Sequence, residues 1–272
     1  MVTLLQVAAF THVGLYRRRN EDSIMVASRV FGNVSMDIPW TGVIGEKEFP
    51  VLLAVADGIG GSVAGDIASR SLLEFLSLHS VDEFDHDLRI LLISGKEHLD
   101  SIALKNPHLA GLGTTLTGVL CYPESLLFFS CGDSRAYIRR AGGRYLTQIT
   151  KDHSVIQEMI DAGTLQEEEA RHHPLGHIIT SSFSGGRHNH QPDIRMWQIP
   201  AHGGDRIVIC TDGVWDYGGE QFLRACTYDE PENAVERVRD ICMDAGAPDN
   251  ISIIIADCPN NQKNVSKSED TI

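Results

Sequence analysis

P-V-L-L-A-V-A-D-G-I-G-G, residues 50–61, is an apolar run that stops at a carboxylate and then breaks into glycines. The stretch Val51–Ala56 is too short for a helix and suits a strand buried on both faces. Such a strand carries Asp57 to a sheet edge, where the following glycines let the backbone turn sharply and let the Gly58 carbonyl approach a ligand. Three more acidic segments lie far away in the chain: N-E-D at Asn20–Asp22, T-D-G-V-W-D at Thr211–Asp216 and D-N at Asp249–Asn250. The apolar run Ile207–Cys210 leads into the second of these, and Ile251–Ala256 follows the third. A single Asp-Gly turn is commonplace, but several acids each tied to a buried strand can meet at one edge. Acids gathered without matching bases repel one another unless a cation lies between them. Donor sets made only of oxygen suit hard ions such as Mg²⁺ or Mn²⁺.

Outward from this strand, Val2–Ala9 and Ser23–Ser28 read as strands flanking the N-E-D turn, and Phe31–Phe49 as a long loop. Apolar spacing predicts helices over Ala64–His79, Asp87–Lys105 and Pro231–Ala245. Thr114–Tyr122, Ser125–Cys131 and Ser134–Arg140 are strands at hairpin spacing, and Gly142–Gly143 turns the chain into Tyr145–Ile149. Short helices are expected at Ser154–Ala162 and Gln166–Arg171, and further strands at Asp193–Ile199, Arg206–Thr211 and Ile251–Ala256. Runs of strands with helices grouped between them indicate antiparallel sheets of the α+β class. Residues 259–272 are polar and expected to be disordered.

The chain has 272 residues, 42% of them hydrophobic, enough for a sizeable core. Its formal charge of -14 argues against nucleic acid or an anionic membrane surface as the partner. The cysteines at 121, 131, 210, 226, 242 and 258 form no C-x-x-C pair, so free thiols in a reducing, cytoplasmic setting are expected. Met1–Phe10 lacks the preceding positive residues of a signal peptide, and no apolar stretch approaches the roughly 20 residues of a membrane span.

These residues define a candidate two-metal centre. Asp57 is expected to bridge two ions, with Asp212 and Asp249 completing one site and the Gly58 carbonyl assisting the other. Two divalent ions held roughly 3.5–4 Å apart can activate a water and stabilise in-line attack on phosphorus. Glu21 and Asp22 would orient ion-bound waters, and Asn250 is grouped with them. In Arg17–Arg19 an arginine could hold two phosphate oxygens with its planar fork, although Arg18 and Arg19 read as a solvated basic run.

In chain order the motifs are R-x-x-N-E-D (Arg17–Asp22), D-G-I-G-G (Asp57–Gly61), G-T-T (Gly113–Thr115), C-G-D-S-R (Cys131–Arg135), D-G-V-W-D (Asp212–Asp216) and D-N-I-S (Asp249–Ser252). As an ordered set, covering about Thr11 to Ala256, they resemble the metal-dependent, type 2C serine/threonine protein phosphatases, in particular the bacterial ones. The stretch Thr150–Thr180, with K-D-H-S, M-I-D-A-G and E-E-E-A-R-H-H-P, is similar to the flap subdomain of the bacterial members. The resemblance implies a four-layer αββα sandwich over residues 1–258, two central antiparallel sheets flanked by helices, with a flap at about 151–190. It implies hydrolysis of phosphoserine and phosphothreonine in phosphoproteins, without a phosphoenzyme, by a water bridging two Mn²⁺ or Mg²⁺ ions. The protein would be a monomer opposing a serine/threonine kinase.

By the same resemblance Arg17 binds phosphate and, with Asp22, Asp57 and Asp212, carries catalysis. Asp57, Gly58, Asp212 and Asp249 match the metal positions. Asp133 matches the acid that shares a third, weaker ion with Asp212; from the residues alone it reads as a hairpin turn. Ile59 stands where several eukaryotic relatives have a histidine acting as general acid. That leaves a water on the third ion, or His153, to protonate the leaving oxygen. Retention of every carboxylate argues against a catalytically silent phosphoprotein-binding or scaffold relative, and the acidic charge against a two-metal nuclease; a small-molecule phosphohydrolase is the remaining alternative. The histidines at 172, 173, 177, 188 and 190 read as surface groups rather than a zinc site. Trp215 and Phe222 are expected in the core, and Trp40 either caps it or docks a partner.

Overall fold

The computed structural model describes residues 1–59, 64–79, 87–170, 173–186, 191–227 and 230–260. Its strands, in chain order, are β1 (Leu4–His12), β2 (Asp22–Val26), β3 (Arg29–Gly32), β4 (Trp40–Gly45), β5 (Val51–Ile59), β6 (Gly113–Thr114), β7 (Leu116–Cys121), β8 (Ser125–Cys131), β9 (Arg135–Arg139), β10 (Thr147–Gln148), β11 (Phe183–Ser184), β12 (Arg195–Pro200), β13 (Arg206–Cys210) and β14 (Ile251–Asp257). The helices are α1 (Gly65–Leu78), α2 (Leu88–Lys105), α3 (Val155–Asp161), α4 (Glu167–Ala170), α5 (Asp212–Ala225) and α6 (Pro231–Asp244).

One sheet runs β10-β9-β13-β14-β1-β4. The other runs β11-β6-β5-β7-β8-β12, with β2 also paired to β5 and β3 to β2. Every pairing is antiparallel. Side chains alternate across a strand, so both faces of each sheet must find apolar cover. Leu5, Val7 and Ala9 of β1 meet Val51, Leu53 and Val55 of β5 in the layer between the sheets, with Ile207, Ile209 and Ile254. On the outer face of the second sheet, Ala54 and Ala56 pack against Ala68, Leu72 and Leu76 of α1 and Leu92 and Leu99 of α2. Phe10, Val208, Ile253 and Ile255 lie under Phe222 of α5 and Val235 and Val238 of α6. The result is the expected αββα sandwich. Burial on both sides is why β5 and β14 read as continuous apolar runs rather than alternating ones.

Two local readings are corrected. The expected loop Phe31–Phe49 contains the end of β3 and all of β4. β4 is an edge strand, with Val43 exposed, and it is held by backbone pairing to β1, so its side chains carry little alternating signal. The T-D-G-V-W-D segment is the first turn of α5, with Thr211 at the N-cap, rather than a simple turn. Gly218 and Gly219 hid that helix, and Gly219 does break it, with φ 52° and ψ -142°. Of the polar end expected to be disordered, residues 261–272 lie outside the described residues, as do Gly60, Gly61, Arg171, His172, His188 and His190.

Candidate active site

The site lies where the strands of both sheets end. Asp22 opens β2 directly opposite Asp57 near the end of β5, so an antiparallel pair places two acids side by side. β13 ends at Cys210 and hands Asp212 to the first turn of α5. Asp249 and Asn250 stand just before β14, which pairs with β13. Asp133 sits in the turn between β8 and β9. Acids from five places in the chain therefore converge.

Their backbones are tightly held. Asn250 Nδ2 donates to the carbonyls of Val13 and Arg19, at 2.9 and 3.0 Å, and its Oδ1 accepts from the Glu21 N–H at 2.8 Å. That one amide fastens the Leu15–Glu21 loop to the start of β14. The Gly58 N–H donates to the Glu21 carbonyl at 3.1 Å. Gly58 also faces the Gly65 backbone so closely that any Cβ would collide with it. Gly213 packs in the same way on the Asn250 carbonyl, which brings α5 and Asp249 together. Two hydroxyls finish the frame. Thr211 Oγ1 donates to Asp22 Oδ2 at 2.8 Å, and Thr115 Oγ1 accepts from the Asp57 N–H at 3.0 Å. Sequence reasoning missed both; G-T-T was legible as a motif, but nothing in it showed what the hydroxyl would bind.

The electrostatics are those of an uncompensated anionic cluster. Burial, followed by the charges of Asp22, Asp212, Asp133 and Asp249, holds the Asp57 carboxyl well above the usual range. Burial and Asp212 do the same to Asp133. Asp22 is pushed up to about 7, mainly by burial and then by Asp212. Asp212 rises to about 6 through burial and Asp249. Glu21 is raised by burial. Among the described residues the cation paired with these acids is Arg17, half-exposed, whose Nη2 lies 2.6 Å from Asp249 Oδ2. Arg17 is therefore beside the acids, as expected, but engaged by one of them.

This donor set fits hard divalent ions. Every donor is oxygen, the acids repel one another, and Asp133 Oδ1 is buried without a hydrogen-bond partner. Among the described residues no three Asp, Glu, His or Cys side chains close around a single point. An ion here would complete its shell with the Gly58 carbonyl and water, as Mg²⁺ and its like commonly do.

The other expected residues fall outward from the cluster. His153 is buried, with Nδ1 accepting from the Gly132 N–H at 3.1 Å, and burial lowers its pKa. Ile59 packs near Gly113. His173 and His177 lie toward the surface. Trp40 is half-buried against Phe31 and the inter-sheet core. Phe222 is in the core, whereas Trp215 is only half-buried and its indole donates to the Asp133 carbonyl at 3.0 Å.

The family model of Protein phosphatase 2C matches residues 41–241. The chain belongs to the protein phosphatase 2C family. Among its relatives within that family is the serine/threonine protein phosphatase PstP of Mycobacterium tuberculosis, 34% identical over 262 residues. That match takes in 94% of this chain and 46% of PstP, so the chain spans about half the length of this relative. Protein phosphatase PhpP of Streptococcus pneumoniae is 30% identical over 217 residues, covering 75% of this chain and 84% of PhpP. The phosphatase 2C fold is also that of the PstP catalytic domain crystallised with two manganese ions. It superposes with a TM-score of 0.73 at 29% identity, over 95% of this chain and all of that one.

Proposed function

We propose that this chain is a metal-dependent protein phosphatase that hydrolyses phosphoserine and phosphothreonine in proteins. The observation that carries the proposal is the convergence of Asp22, Asp57, Asp133, Asp212 and Asp249 at one end of the sandwich, their charges raising one another's pKa values. Asp57, the Gly58 carbonyl, Asp212 and Asp249 would hold two Mn²⁺ or Mg²⁺ ions, and Asp133 with Asp212 a weaker third. Bound there, the ions would supply an acidified water as nucleophile and neutralise charge building on the phosphoryl oxygens.

The chain's own groups do the rest. Arg17 is placed to grip phosphate oxygens once it leaves Asp249, an exchange of one anion for another at a half-exposed site. Thr211 fixes the orientation of the Asp22 carboxylate, which can hold a proton near neutral pH. Asn250 and Glu21 keep the arginine loop at the rim. Ile59 carries no proton to give and His153 is enclosed, so a water at the weaker third site would be the candidate to protonate the leaving oxygen.

The reading extends to the surroundings of the site. The segment expected as a flap is the excursion from Thr150 to Ser184 that bears α3 and α4, and it would form part of the substrate-facing wall. Six free, buried cysteines support a reducing cytoplasm, where a serine/threonine kinase would supply the substrates. No helix among the described residues is long and apolar enough to cross a membrane.

The test is hydrolysis of a phosphothreonine peptide across a series of divalent ions. Turnover should vanish in chelator and return with Mn²⁺. Asp57→Asn and Asp212→Asn should each lower kcat by at least about a thousandfold with the circular dichroism spectrum unchanged. Undiminished hydrolysis in chelator, or nucleotide hydrolysis with no action on phosphopeptide, would refute the assignment.

A further inference from the structure

Helix α5 leaves the acidic cluster at Asp212 and breaks at Gly219, where a Cβ would meet nothing within 4 Å. Helix α6 runs beside it, with Val235, Val238 and Cys242 in one apolar cluster with Val214 and Phe222, and ends at Asp244, close in sequence to Asp249. Around the break the two helices part. A cleft of about 650 Å³ opens there, with Tyr217, Glu220, Gln221 and Arg224 on the α5 side and Ile241 and Asp244 on the α6 side. A hollow of about 460 Å³ continues it along the helix pair and shares Gln221, Arg224, Ile241 and Asp244 with it. Both volumes fall within the range of about 300–1,000 Å³ common for ligand sites.

One end of this trough opens beside the acids. Tyr217 lines it, half-exposed, and burial and then the charges of Asp216, Asp249 and Asp212 raise its hydroxyl pKa, while Arg17 opposes the rise. The ring therefore stands within electrostatic reach of two acids of the cluster and of the arginine placed to grip phosphate. Ala245 lies at the same end, and just beyond it the Ala247 carbonyl accepts from the Leu15 N–H at 2.8 Å. That bond seats the loop bearing Arg17, along with the widely exposed Leu15 and Tyr16, next to the mouth of the trough. The lining charges are not evenly matched. Glu220 and Arg224 lie 3.5 Å apart, and Asp240 in the hollow is held by Arg239 at 2.8 Å. Arg237 lines only the far hollow. The exposed Asp244 carboxylate, shared by both parts, has no ion pair among the described residues.

We propose that the trough between α5 and α6 receives the stretch of the phosphoprotein next to the phosphorylated residue, and that Asp244 selects a basic side chain in that stretch. The proposal rests on the reading of the site as one that acts on phosphoproteins. The occupant follows from continuity. The trough begins where the phosphorylated side chain must enter, so the chain that carries it has to cross the mouth at Tyr217. Its chemistry follows from charge. On a protein of formal charge -14, an unpaired carboxylate in a cleft favours a lysine or arginine and disfavours an acid. The break at Gly219 supplies the room, since an unbroken helix bearing a side chain there would narrow the gap.

The test compares, in the Mn²⁺-loaded full chain, a phosphothreonine peptide flanked on both sides by lysines, the same peptide flanked by alanines, and p-nitrophenyl phosphate, which has no flanks. The unmodified protein should favour the lysine peptide about fivefold in kcat/KM, through KM rather than kcat. Asp244→Lys should bring that preference below about twofold. Glu124→Lys makes the same change of charge in the exposed turn between β7 and β8, at the ends of those strands away from Thr115 and Asp133, and should leave the preference intact. Gln221→Trp, which fills the trough, should slow both peptides at least about fivefold relative to p-nitrophenyl phosphate. No preference in the unmodified protein, or one altered equally by Asp244→Lys and Glu124→Lys, would overturn the proposal. Peptide rates in Gln221→Trp that keep their ratio to p-nitrophenyl phosphate would overturn it as well. An unmodified protein that cleaves p-nitrophenyl phosphate and neither peptide would instead overturn the reading of the site itself, and this trough's role with it.

Discussion

Replacing Asp22 by asparagine should make the ion-free protein more stable at alkaline pH, although it damages the site. Asp22 is 1% exposed, and its carboxyl is raised from the ordinary 3.8 to about 7 by burial and then by Asp212. The folded state thus keeps a proton that the unfolded chain releases. Its contribution is present in full below the unfolded pKa and is lost as pH rises through the folded one. A rise of roughly three pH units, at about 1.4 kcal/mol each, makes a loss of about 4 kcal/mol, of which about 3 falls between about pH 5 and about pH 8. Asp57, Asp133 and Asp212 are raised too and add to the slope in the same direction. Asparagine keeps an oxygen for the Thr211 hydroxyl, now 2.8 Å from Asp22 Oδ2, so little packing is lost. Urea unfolding in chelator should show the unmodified protein weakening steadily over that pH range and Asp22→Asn weakening by about 3 kcal/mol less. Mn²⁺ should restore the unmodified protein at the alkaline end. A flat or rising profile for the ion-free protein, or equal slopes for the two, would refute the account of a self-repelling cluster.

Three other outcomes follow from the same contacts. Arg17→Ala should lower kcat/KM on a phosphopeptide about tenfold or more and, because it frees Asp249, tighten rather than weaken Mn²⁺ binding; calorimetry showing weaker binding would contradict the ion pair's role. Gly213→Ala should cost about 3 kcal/mol or more in urea unfolding and lower tight-ion affinity, because its Cβ would be driven into the Asn250 carbonyl; stability within about 0.5 kcal/mol of the parent would count against that packing. Asp100→Ala should destabilise the fold by about 1.5–3 kcal/mol by removing one carboxylate partner of the buried Lys96 ammonium and the acceptor of the Gly186 N–H, leaving phosphopeptide KM unchanged in the molecules that remain folded; stability within about 0.5 kcal/mol of the parent would count against that role.

Much of the acidic cluster was legible because several of its carboxylates stand at the ends of apolar strands. An apolar run followed by Asp is readable at β5 and β13, and one preceded by Asp at β14, since burial on both faces leaves few polar residues to blur the strand. The edge strand β4 lacked that mark: its pairing is made by backbone groups, which every sequence has. Helix α5 was obscured because Gly218 and Gly219 look like a loop, whereas in the fold Val214 and Phe222 pack this segment against residues of β13 and β14. Trp215 read as one more core aromatic. Its hydrogen bond to Asp133 spans 82 positions, and no local pattern encodes such a distance.

The sequence by itself determined most of the strands, most of the helices and which acids stand at strand ends, because periodicity and turn chemistry act over a few residues; the family was legible through the resemblance that the ordered motifs carry. Tertiary structure alone decided that Asp22 lies opposite Asp57, that Arg17 rests on Asp249, and that the Asp133 turn is shared between the sandwich and the excursion after β10. Those facts depend on strand register and on contacts between distant segments. They are fixed only when both faces of each sheet are buried at once and a slip of one residue would turn the core side chains outward.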